Sequence, residues 1–396
     1  MKKIVALILC VLTVISFSSC SDKKEETPVQ QEETPPPKVE ISYPYNAEYV
    51  EMGVPLAEYY RDGGVERCVW DIEYFDNGLF VASGDYDKNR GPVYMTHYSF
   101  DDEKWLFDTA LPDEQIERFF IIDNKLYAAG CDPRTSWDYG NFYYFEGGRW
   151  QTNNTVPGGI HNFDIVQFQG KVYLGLGVLK GDAPVKVSDD KQNWTSVYLY
   201  KDGEMRETYD AEFIRVYDFF VYNDELYAYF YTKYDDQNYN EIYRLEGDRF
   251  VYHSDMISNI WTSKTAFATI NQKLEFKGNM LFTTGYFYKT TDMKTAERIN
   301  VGDTTAVTDM KVIDDTLYIL CNEKIIKEDS GEEFRVSVKR STDGVEFEEM
   351  FFFNYPVRAL SFTYGNEHFY LGMGYGVRAQ QRYDENGAVL AVKNPL

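Results

Sequence analysis

The feature of this 396-residue sequence that most constrains its fold is a hairpin pattern that occurs seven times. Each copy has an alternating apolar strand, a short turn rich in Asp, Asn or Gly, and a second strand that opens with an apolar–aromatic pair. The seven pairs are Leu79-Phe80, Leu126-Tyr127, Val172-Tyr173, Leu226-Tyr227, Leu281-Phe282, Leu317-Tyr318 and Phe369-Tyr370. Successive pairs are 36 to 55 residues apart, which is the length of a four-stranded propeller blade.

These repeats predict an all-β protein, a seven-bladed β-propeller of four-stranded blades that occupies residues 41–396. Sustained helical periodicity is missing from this part of the sequence. We expect each hairpin to supply the inner two strands of a blade, while a second turn joins the outer two.

The second turn has its own repeated sequence. It begins with Ser or Thr, any residue and Asp, and a large apolar side chain follows after three further residues. It occurs four times, with Ala296 as the exception at the last position: Ser99, Asp101, Trp105; Ser188, Asp190, Trp194; Thr290, Asp292, Ala296; and Ser341, Asp343, Phe347. Ser and Asp side chains readily bond the backbone two residues further on, so each stretch predicts a tight turn. In the second and fourth copies, Gly-containing turns before Trp150 and Phe250 replace it.

These four turns resemble the Asp-boxes of sialidase-like β-propellers. The resemblance implies that the Asp caps the backbone N–H groups of its own turn and that the aromatic residue packs between sheets. It also implies a structural role at the base of the propeller, away from the ligand. The Phe-Arg-Ile-Pro signature of the enzymes of that family is absent, and the corresponding stretch reads Glu66-Arg67-Cys68-Val69-Trp70.

The N-terminal segment is predicted to be a processing signal followed by a tether. Lys2 and Lys3 precede an apolar run, and Ser18-Ser19-Cys20 follows it, which resembles a bacterial lipoprotein signal over residues 1–20. The resemblance implies cleavage before Cys20 and its acylation, whereas a plain secretory signal is the alternative. Residues 21–40 contain no aromatic side chain and are predicted to be disordered. We therefore expect a lipid anchor in the outer membrane, at the cell surface or on the periplasmic face.

Charge and cysteine content limit the partners of the predicted propeller. The net charge of −24 disfavours nucleic acid and anionic membrane surfaces, so the lipid is the only membrane contact we expect, on a monomeric body. After Cys20, three widely spaced cysteines remain, Cys68, Cys131 and Cys321. Their spacing indicates neither a disulfide framework nor a zinc motif, and we expect buried free thiols. The four histidines are interpreted as individually satisfied.

Aligning the copies on their pairs predicts where the innermost strands begin. Eight residues before each pair stands a polar side chain: Asp71, Arg118, Asp164, Asp218, Lys273, Asp309 and Ser361. Because seven innermost strands surround one axis, these side chains should form a ring at the mouth of the channel. The ring predicts a site for a polyhydroxyl ligand or a cation. The alternative is a solvated channel whose charges neutralise one another.

Two further sets of residues are candidate ligand contacts. Asp85, Asp87 and Asn89 carry oxygen side chains at alternate positions, an arrangement that suits calcium, although an ordinary polar loop has the same composition. Trp137 and Trp261 fall in predicted loops or insertions, where an aromatic ring can stack on a sugar.

The sequence favours non-catalytic binding of a glycan or a protein at the channel mouth. One alternative is a glycoside hydrolase of the Asp-box propeller type, because no pair of acids can be selected among 64. Another is a structural scaffold in an envelope complex. Fold alone does not decide among them.

Overall fold

The computed structural model describes residues 44–85, 91–134, 138–178, 183–206, 213–234, 237–261, 269–327, 331–375 and 383–395. Within these ranges the secondary structure consists of strands, one short helix, α1 (Met256–Ile260), and a single 3-10 turn (Val65–Arg67). The predicted all-β class is confirmed. None of the described helical segments has the length and apolarity needed to cross a membrane.

The strands are numbered in chain order. The first sixteen are β1 (Tyr45–Asn46), β2 (Val50–Gly53), β3 (Asp71–Phe75), β4 (Gly78–Ala82), β5 (Val93–Ser99), β6 (Lys104–Leu111), β7 (Gln115–Ile122), β8 (Lys125–Cys131), β9 (Tyr139–Glu146), β10 (Arg149–Pro157), β11 (His161–Phe168), β12 (Lys171–Val178), β13 (Val185–Ser188), β14 (Thr195–Val197), β15 (Leu199–Lys201) and β16 (Glu204–Met205).

The remaining strands are β17 (Phe213–Tyr222), β18 (Glu225–Tyr234), β19 (Gln237–Glu246), β20 (Arg249–Ser254), β21 (Lys273–Phe276), β22 (Asn279–Thr283), β23 (Phe287–Thr290), β24 (Glu297–Ile299), β25 (Thr305–Ile313), β26 (Thr316–Lys327), β27 (Gly331–Ser341), β28 (Glu348–Tyr355), β29 (Ala359–Gly365), β30 (His368–Met373) and β31 (Val389–Lys393).

Most of these strands belong to antiparallel meanders of four. In chain order the described meanders are the first (β3–β6), second (β7–β10), third (β11–β14), fourth (β17–β20), fifth (β21–β24), sixth (β25–β28) and seventh (β29–β31 with β2). Successive antiparallel meanders along one chain give a propeller-like all-β topology.

The first two strands of every meander are joined by a two-residue loop with positive φ at both positions, between 46° and 78°. These loops are Asp76-Asn77, Asp123-Asn124, Gln169-Gly170, Asn223-Asp224, Lys277-Gly278, Asp314-Asp315 and Asn366-Glu367. Positive φ at both positions defines the type I′ turn, whose twist matches that of the flanking strands. The Asp, Asn and Gly residues of the repeated sequence pattern supply this conformation at low cost.

The N-terminal strands complete the last two meanders. β2 pairs antiparallel with β31, with Val50 opposite Ala391, and so becomes the fourth strand of the seventh meander. β1 pairs parallel with β28 in the sixth meander, with Tyr45 opposite Phe351. The two ends of the described chain are thereby hydrogen-bonded together, and the outer edge of β31 is covered.

The hydrophobic core lies between neighbouring meanders. All fourteen residues of the seven apolar–aromatic pairs are buried, because each pair opens a second strand with sheets on both sides. One cluster, for example, joins Ile165 and Val172 of the third meander to Val216 and Phe219 of the fourth. The repeated pair is therefore a packing element.

Candidate functional site

Five of the seven polar residues that were predicted to begin the innermost strands lie inside them, whereas Asp71 and Lys273 are the first residues of β3 and β21. Asp164 is preceded in β11 by His161–Phe163, and Asp309 is preceded in β25 by Thr305–Thr308. A register shift comes just before each of these two residues, between Asn162 and Asp164 and between Val307 and Asp309. Such an irregularity turns a side chain out of the regular alternation. Asp164 and Asp309 thus lie deeper than the ends of their strands.

Three of the four predicted ring aspartates join neighbouring meanders. We call Asp71, Asp164 and Asp309 the inner-strand aspartates, because each belongs to an innermost strand and its carboxylate accepts two backbone N–H bonds. One donor is the next residue of the same strand, and the other lies in the innermost strand of the next meander. The donors are Ile72 and Phe119 for Asp71 (2.9 and 2.8 Å), Ile165 and Phe219 for Asp164 (3.1 and 2.6 Å), and Met310 and Phe362 for Asp309 (2.7 and 2.7 Å).

The fourth aspartate, Asp218, is held by two cations instead. Arg118 Nη1 lies 2.6 Å from Asp218 Oδ1, and Lys273 Nζ lies 2.8 Å from the same oxygen. Lys273 Nζ also lies 2.8 Å from Asp164 Oδ2. The side chain of Asp218 is 1% exposed, so these contacts are shielded from water. The structure therefore brings Arg118, Asp164, Asp218 and Lys273 together as one buried ionic network.

A second network was missed by the sequence analysis. Lys311 Nζ lies 2.7 Å from Glu73 Oε2. Burial lowers the pKa of Lys311, but the carboxylates of Glu73, Asp71 and Asp309 outweigh it and raise that pKa. Burial also raises the pKa of Asp309, to about 7. Glu73 and Lys311 stand two residues after Asp71 and Asp309. Because side chains two apart in a strand point to the same face, the sequence could have placed them beside these aspartates. The charges of Lys311 and Glu73 therefore pair with each other.

Two cavities lie among the innermost strands. The larger, the inner-strand cavity, has about 350 Å³ and is lined by Asp71, Arg118, Asp164 and Lys273 together with Glu73 and Lys311. The smaller, the mouth cavity, has about 170 Å³ and lies towards the end where the innermost strands begin. Arg118 and Gln272 line both cavities, so the buried ionic network stands between them.

The mouth cavity combines aromatic rings with hydrogen-bonding side chains. The rings of Trp70 and Tyr375 are 6.0 Å apart. The guanidinium of Arg358 lies 5.6 Å from the Tyr375 ring, and its Nε is buried without a hydrogen-bond partner among the described residues. Glu117, Asn271 and Thr308 complete the polar lining. Burial raises the pKa of Glu117. Aromatic rings, the Arg358 side chain and several oxygen-bearing side chains therefore line one small space.

Two of the other predicted contacts, Asp85 and Trp261, are described, and neither lines these cavities. Trp261 follows α1 and packs, half-buried, against a core cluster that contains Phe220 and Phe282, because α1 docks on the fourth meander. Trp261 thus lies outside the strands, as predicted, and its role as a ligand contact stays a prediction. Asp85 is buried, and its N–H donates to the carbonyl of Glu114. The other predicted contacts, Asp87, Asn89 and Trp137, together with the predicted lipidation residue Cys20, lie outside the described residues.

Three of the four repeated turns share one geometry. Their aspartates, here the outer-turn aspartates, are Asp190, Asp292 and Asp343. Each Oδ1 accepts the N–H groups two and three residues later at 2.7 to 2.9 Å. The hydroxyls of Ser188, Thr290 and Ser341 accept the N–H three residues later at 2.8 to 3.0 Å. The first turn differs, since Asp102 bonds Ser99, and Asp101 accepts from Asn77. Glu103 carries the positive φ there. This turn is also shorter, since four residues separate the paired Ser99 and Lys104, whereas seven separate the paired strand residues at each of the other three turns.

The aromatic residues after these turns contact the preceding meander in the ring. Trp105 Nε1 donates to the carbonyl of Met52, in β2 (2.8 Å). Trp194 Nε1 donates to Thr155 Oγ1 (3.0 Å). Phe347 packs edge-to-face on Phe287 at 5.6 Å. The hairpin loops lie at the same end of the strands, because Asn77 reaches Asp101. The repeated turns are therefore packing elements at the end opposite the mouth cavity.

Comparison with known proteins gives structural likeness only. No family model and no curated sequence matches the chain. It is similar to the extracellular domain of BT4673 from B. thetaiotaomicron, assigned to a hybrid two component system, with 8% identity and a TM-score of 0.52 over 88% of this chain. The chain spans 42% of the length of that structure. This likeness concerns the fold.

Two further structures are more distant. An auxiliary nutrient binding protein from Bacteroides ovatus has 11% identity and a TM-score of 0.38, over 82% of this chain and 69% of that one. An alpha-L-arabinanase from Penicillium chrysogenum, complexed with arabinobiose, has 13% identity and a TM-score of 0.40, over 89% of this chain and 99% of that one.

Proposed function

We propose that the protein is a seven-bladed propeller of four-stranded blades that binds a glycan, without cleaving it, in the mouth cavity. Each of the seven meanders would be one blade, and β2 would close the last blade. The observation that carries the binding proposal is the mouth cavity itself, which Trp70, Tyr375 and Arg358 line together. A sugar ring has apolar faces that stack on aromatic rings and hydroxyls that accept hydrogen bonds from a guanidinium.

The carboxyl groups near the mouth cavity favour binding over hydrolysis, because Glu117 is the one carboxyl among the described residues that line it. Hydrolysis needs one carboxyl group free to give a proton and a second free to attack or to activate water. Asp71, Asp164 and Asp309 already accept two backbone N–H bonds each, and Asp218 is held by Arg118 and Lys273. We therefore expect the ligand contacts in the mouth cavity and not among the aspartates of the predicted ring.

We also propose the membrane attachment predicted from the sequence. Acylation at Cys20, followed by the tether of residues 21–40, would hold a monomeric propeller on the outer membrane. Calcium at the loop that starts with Asp85 stays a prediction. Mass spectrometry of the mature N-terminus tests the anchor, and an unmodified Cys20 would contradict it.

The binding proposal is tested with purified full-length protein on a broad oligosaccharide panel, recording both retention and released reducing sugar. Replacing Arg358 by Ala removes the guanidinium, and we expect the affinity for any retained glycan to fall on the order of tenfold to a hundredfold. Arg335→Ala is the matched control, because Arg335 also lies over an aromatic ring (3.9 Å from that of Phe352) but pairs with Glu349.

Equal losses in the two variants, or none in Arg358→Ala, would overturn the mouth cavity as the site. Released reducing sugar would overturn binding without cleavage and favour the hydrolase. Retention of no sugar, with capture of an envelope protein that Arg358→Ala abolishes, would replace the glycan by a protein ligand.

A further inference from the structure

Three potential metal ligands meet where the second and third meanders touch. Cys131 is the last residue of β8, His161 is the first residue of β11, and the two are register partners across the boundary between the meanders. Cys131 Sγ lies 3.4 Å from His161 Nδ1, and Asp132 Oδ1 lies 2.9 Å from the same nitrogen. The three ligand atoms all lie within 4.8 Å of one another.

A single imidazole nitrogen cannot satisfy both of its neighbours. If His161 Nδ1 carries a hydrogen, it can donate that hydrogen to only one of its two neighbours, Cys131 Sγ or Asp132 Oδ1. If it carries a lone pair instead, the Cys131 thiol can donate to it, but an ionised Asp132 cannot. A cation placed among the three atoms serves all of them at once. Tetrahedral zinc with bonds of about 2.0 to 2.3 Å places its ligand atoms about 3.5 Å apart, close to the sulfur–nitrogen distance here.

The cluster is held in place by its surroundings and is reachable from one side. The His161 ring stacks on Phe163 at 5.4 Å with an angle of 11° between planes. The Asp132 N–H donates to the carbonyl of Ile160 at 3.0 Å. Cys131 is buried, whereas the side chains of His161 and Asp132 are about one-fifth exposed. The thiol thus forms the floor of the cluster, and the other two ligands border solvent.

The electrostatic surroundings are negative. Asp132, Glu117 and Asp113 act electrostatically on Cys131, and Arg215 is the one cation that opposes them among its main electrostatic neighbours. Asp113 is fully buried, and its Oδ1 lacks a hydrogen-bond partner among the described residues. A divalent cation would offset this excess of negative charge, since its own charge dominates such a site.

We propose that Cys131, Asp132 and His161 form a zinc site with an open fourth position that faces solvent. Thiolate, imidazole and carboxylate together suit zinc better than calcium or magnesium, which prefer oxygen ligands alone. On binding, zinc gains a bond to sulfur and the Cys131 proton leaves to solvent. The hydrogen of a neutral His161 resides on Nε2, so that Nδ1 offers its lone pair. Water or a ligand group takes the fourth position.

The spacing of the three residues hid this site in the sequence. Cys131 and Asp132 are adjacent, and His161 follows about thirty residues later without a second cysteine or histidine nearby. Only the pairing of β8 with β11 brings them together. The 2.9 Å contact of His161 Nδ1 with Asp132 agrees with the expectation of individually satisfied histidines, and the proposal adds Cys131 to that pair as a third ligand.

The site is tested by titrating the purified full chain, stripped with a chelator, with Zn²⁺ and separately with Co²⁺. We expect one high-affinity zinc per chain and a Co²⁺ spectrum with a thiolate charge-transfer band and the intense bands of a tetrahedral ion. Cys131→Ser and His161→Ala should each weaken zinc binding on the order of a hundredfold. Cys321→Ser is the matched control, because Cys321 is also a buried free thiol but lies in β26.

Zinc should also slow alkylation of Cys131, and not of Cys321, in the unaltered protein, as read by peptide mass spectrometry. That measurement keeps the test valid if a variant does not fold. Lack of stoichiometric zinc, a cobalt spectrum without a thiolate band, or equal effects of Cys131→Ser and Cys321→Ser would overturn the proposal.

Discussion

The inner-strand and the outer-turn aspartates use the same local chemistry at opposite ends of the strands. In both sets one carboxylate accepts two backbone N–H bonds. The two donors to Asp343, Val345 and Glu346, belong to its own turn. The two donors to Asp309 are Met310 in its own strand and Phe362 in the next meander. The comparison shows that the sequence separation of the donors decides whether such a carboxylate shapes a turn or joins two sheets.

Burial separates the two sets electrostatically. Asp309 is completely buried, and burial raises its pKa to about 7. The backbone N–H groups of Val345 and Glu346 lower the pKa of the exposed Asp343. The inner carboxylates therefore carry a desolvation cost that only their N–H partners and nearby cations offset, whereas the outer carboxylates remain in water.

The largest effect is expected from Asp309→Ala. The change leaves two backbone N–H groups without an acceptor in a fully buried position, so the free energy of unfolding should fall by about 3 kcal/mol. Equilibrium urea unfolding measures it. Asp343→Ala is the matched control at an outer turn, and an equal loss in the two variants would contradict the distinction between the two sets.

A smaller loss is expected when one cation of the buried network is removed. Lys273→Met leaves Asp164 with its two backbone donors and Asp218 with Arg118, so the free energy of unfolding should fall by about 2 kcal/mol. Lys277→Met is the control, because Lys277 pairs with the exposed Asp315. If Lys273→Met and Lys277→Met unfolded at the same urea concentration, the buried ionic network would not stabilise the fold more than an exposed ion pair does.

Asp343→Ala itself should lower the melting temperature only slightly, since water replaces the lost acceptor at an exposed turn. Ser341→Ala, which removes the hydroxyl of the same turn, provides a comparison of similar size. A decrease as large as that of Asp309→Ala would mean that this turn, too, joins neighbouring sheets.

The smallest effect is the pH dependence of the stability lost in Asp343→Ala. The folded-state pKa of Asp343 is below its ordinary value of 3.8, so the carboxylate contributes stability above that value and loses the contribution as pH falls through the folded pKa. The difference in stability between the unaltered protein and Asp343→Ala should therefore shrink below about pH 4. Thermal unfolding at several pH values measures it, and a difference that grows towards acid would contradict the sign.

Much of the fold follows from the sequence, because alternating strands and I′-type turns are local signals. The apolar–aromatic pairs located the second strand of every meander, and the repeated Ser/Thr-x-Asp turns located the junction of the outer strands. The sequence did not reveal that β2 pairs with β31, since pairing across more than three hundred residues leaves no local pattern.

The candidate site was harder to predict than the fold. Asp71, Asp164 and Asp309 each stand eight residues before an apolar–aromatic pair, and this was visible in the sequence. The direction of their carboxylates depends on register shifts and on N–H groups of the next meander, which was not. Arg358 was visible as one of several arginines near the starts of innermost strands, but nothing in the sequence selected it as a ligand contact, and Tyr375 belongs to no repeat. Their proximity to Trp70 depends on the association of the chain ends.

Amide hydrogen exchange at Phe362 tests most directly whether an inner-strand aspartate joins two meanders. In the unaltered protein, the Phe362 N–H should exchange slowly, because it donates to buried Asp309 at 2.7 Å. In Asp309→Ala its exchange should accelerate more than that of other amides in β29. The amides of Val345 and Glu346, which donate to the unaltered Asp343, should accelerate only as much as the loss of global stability requires. If Phe362 is no more affected than the rest of β29, the carboxylate does not hold the two meanders together.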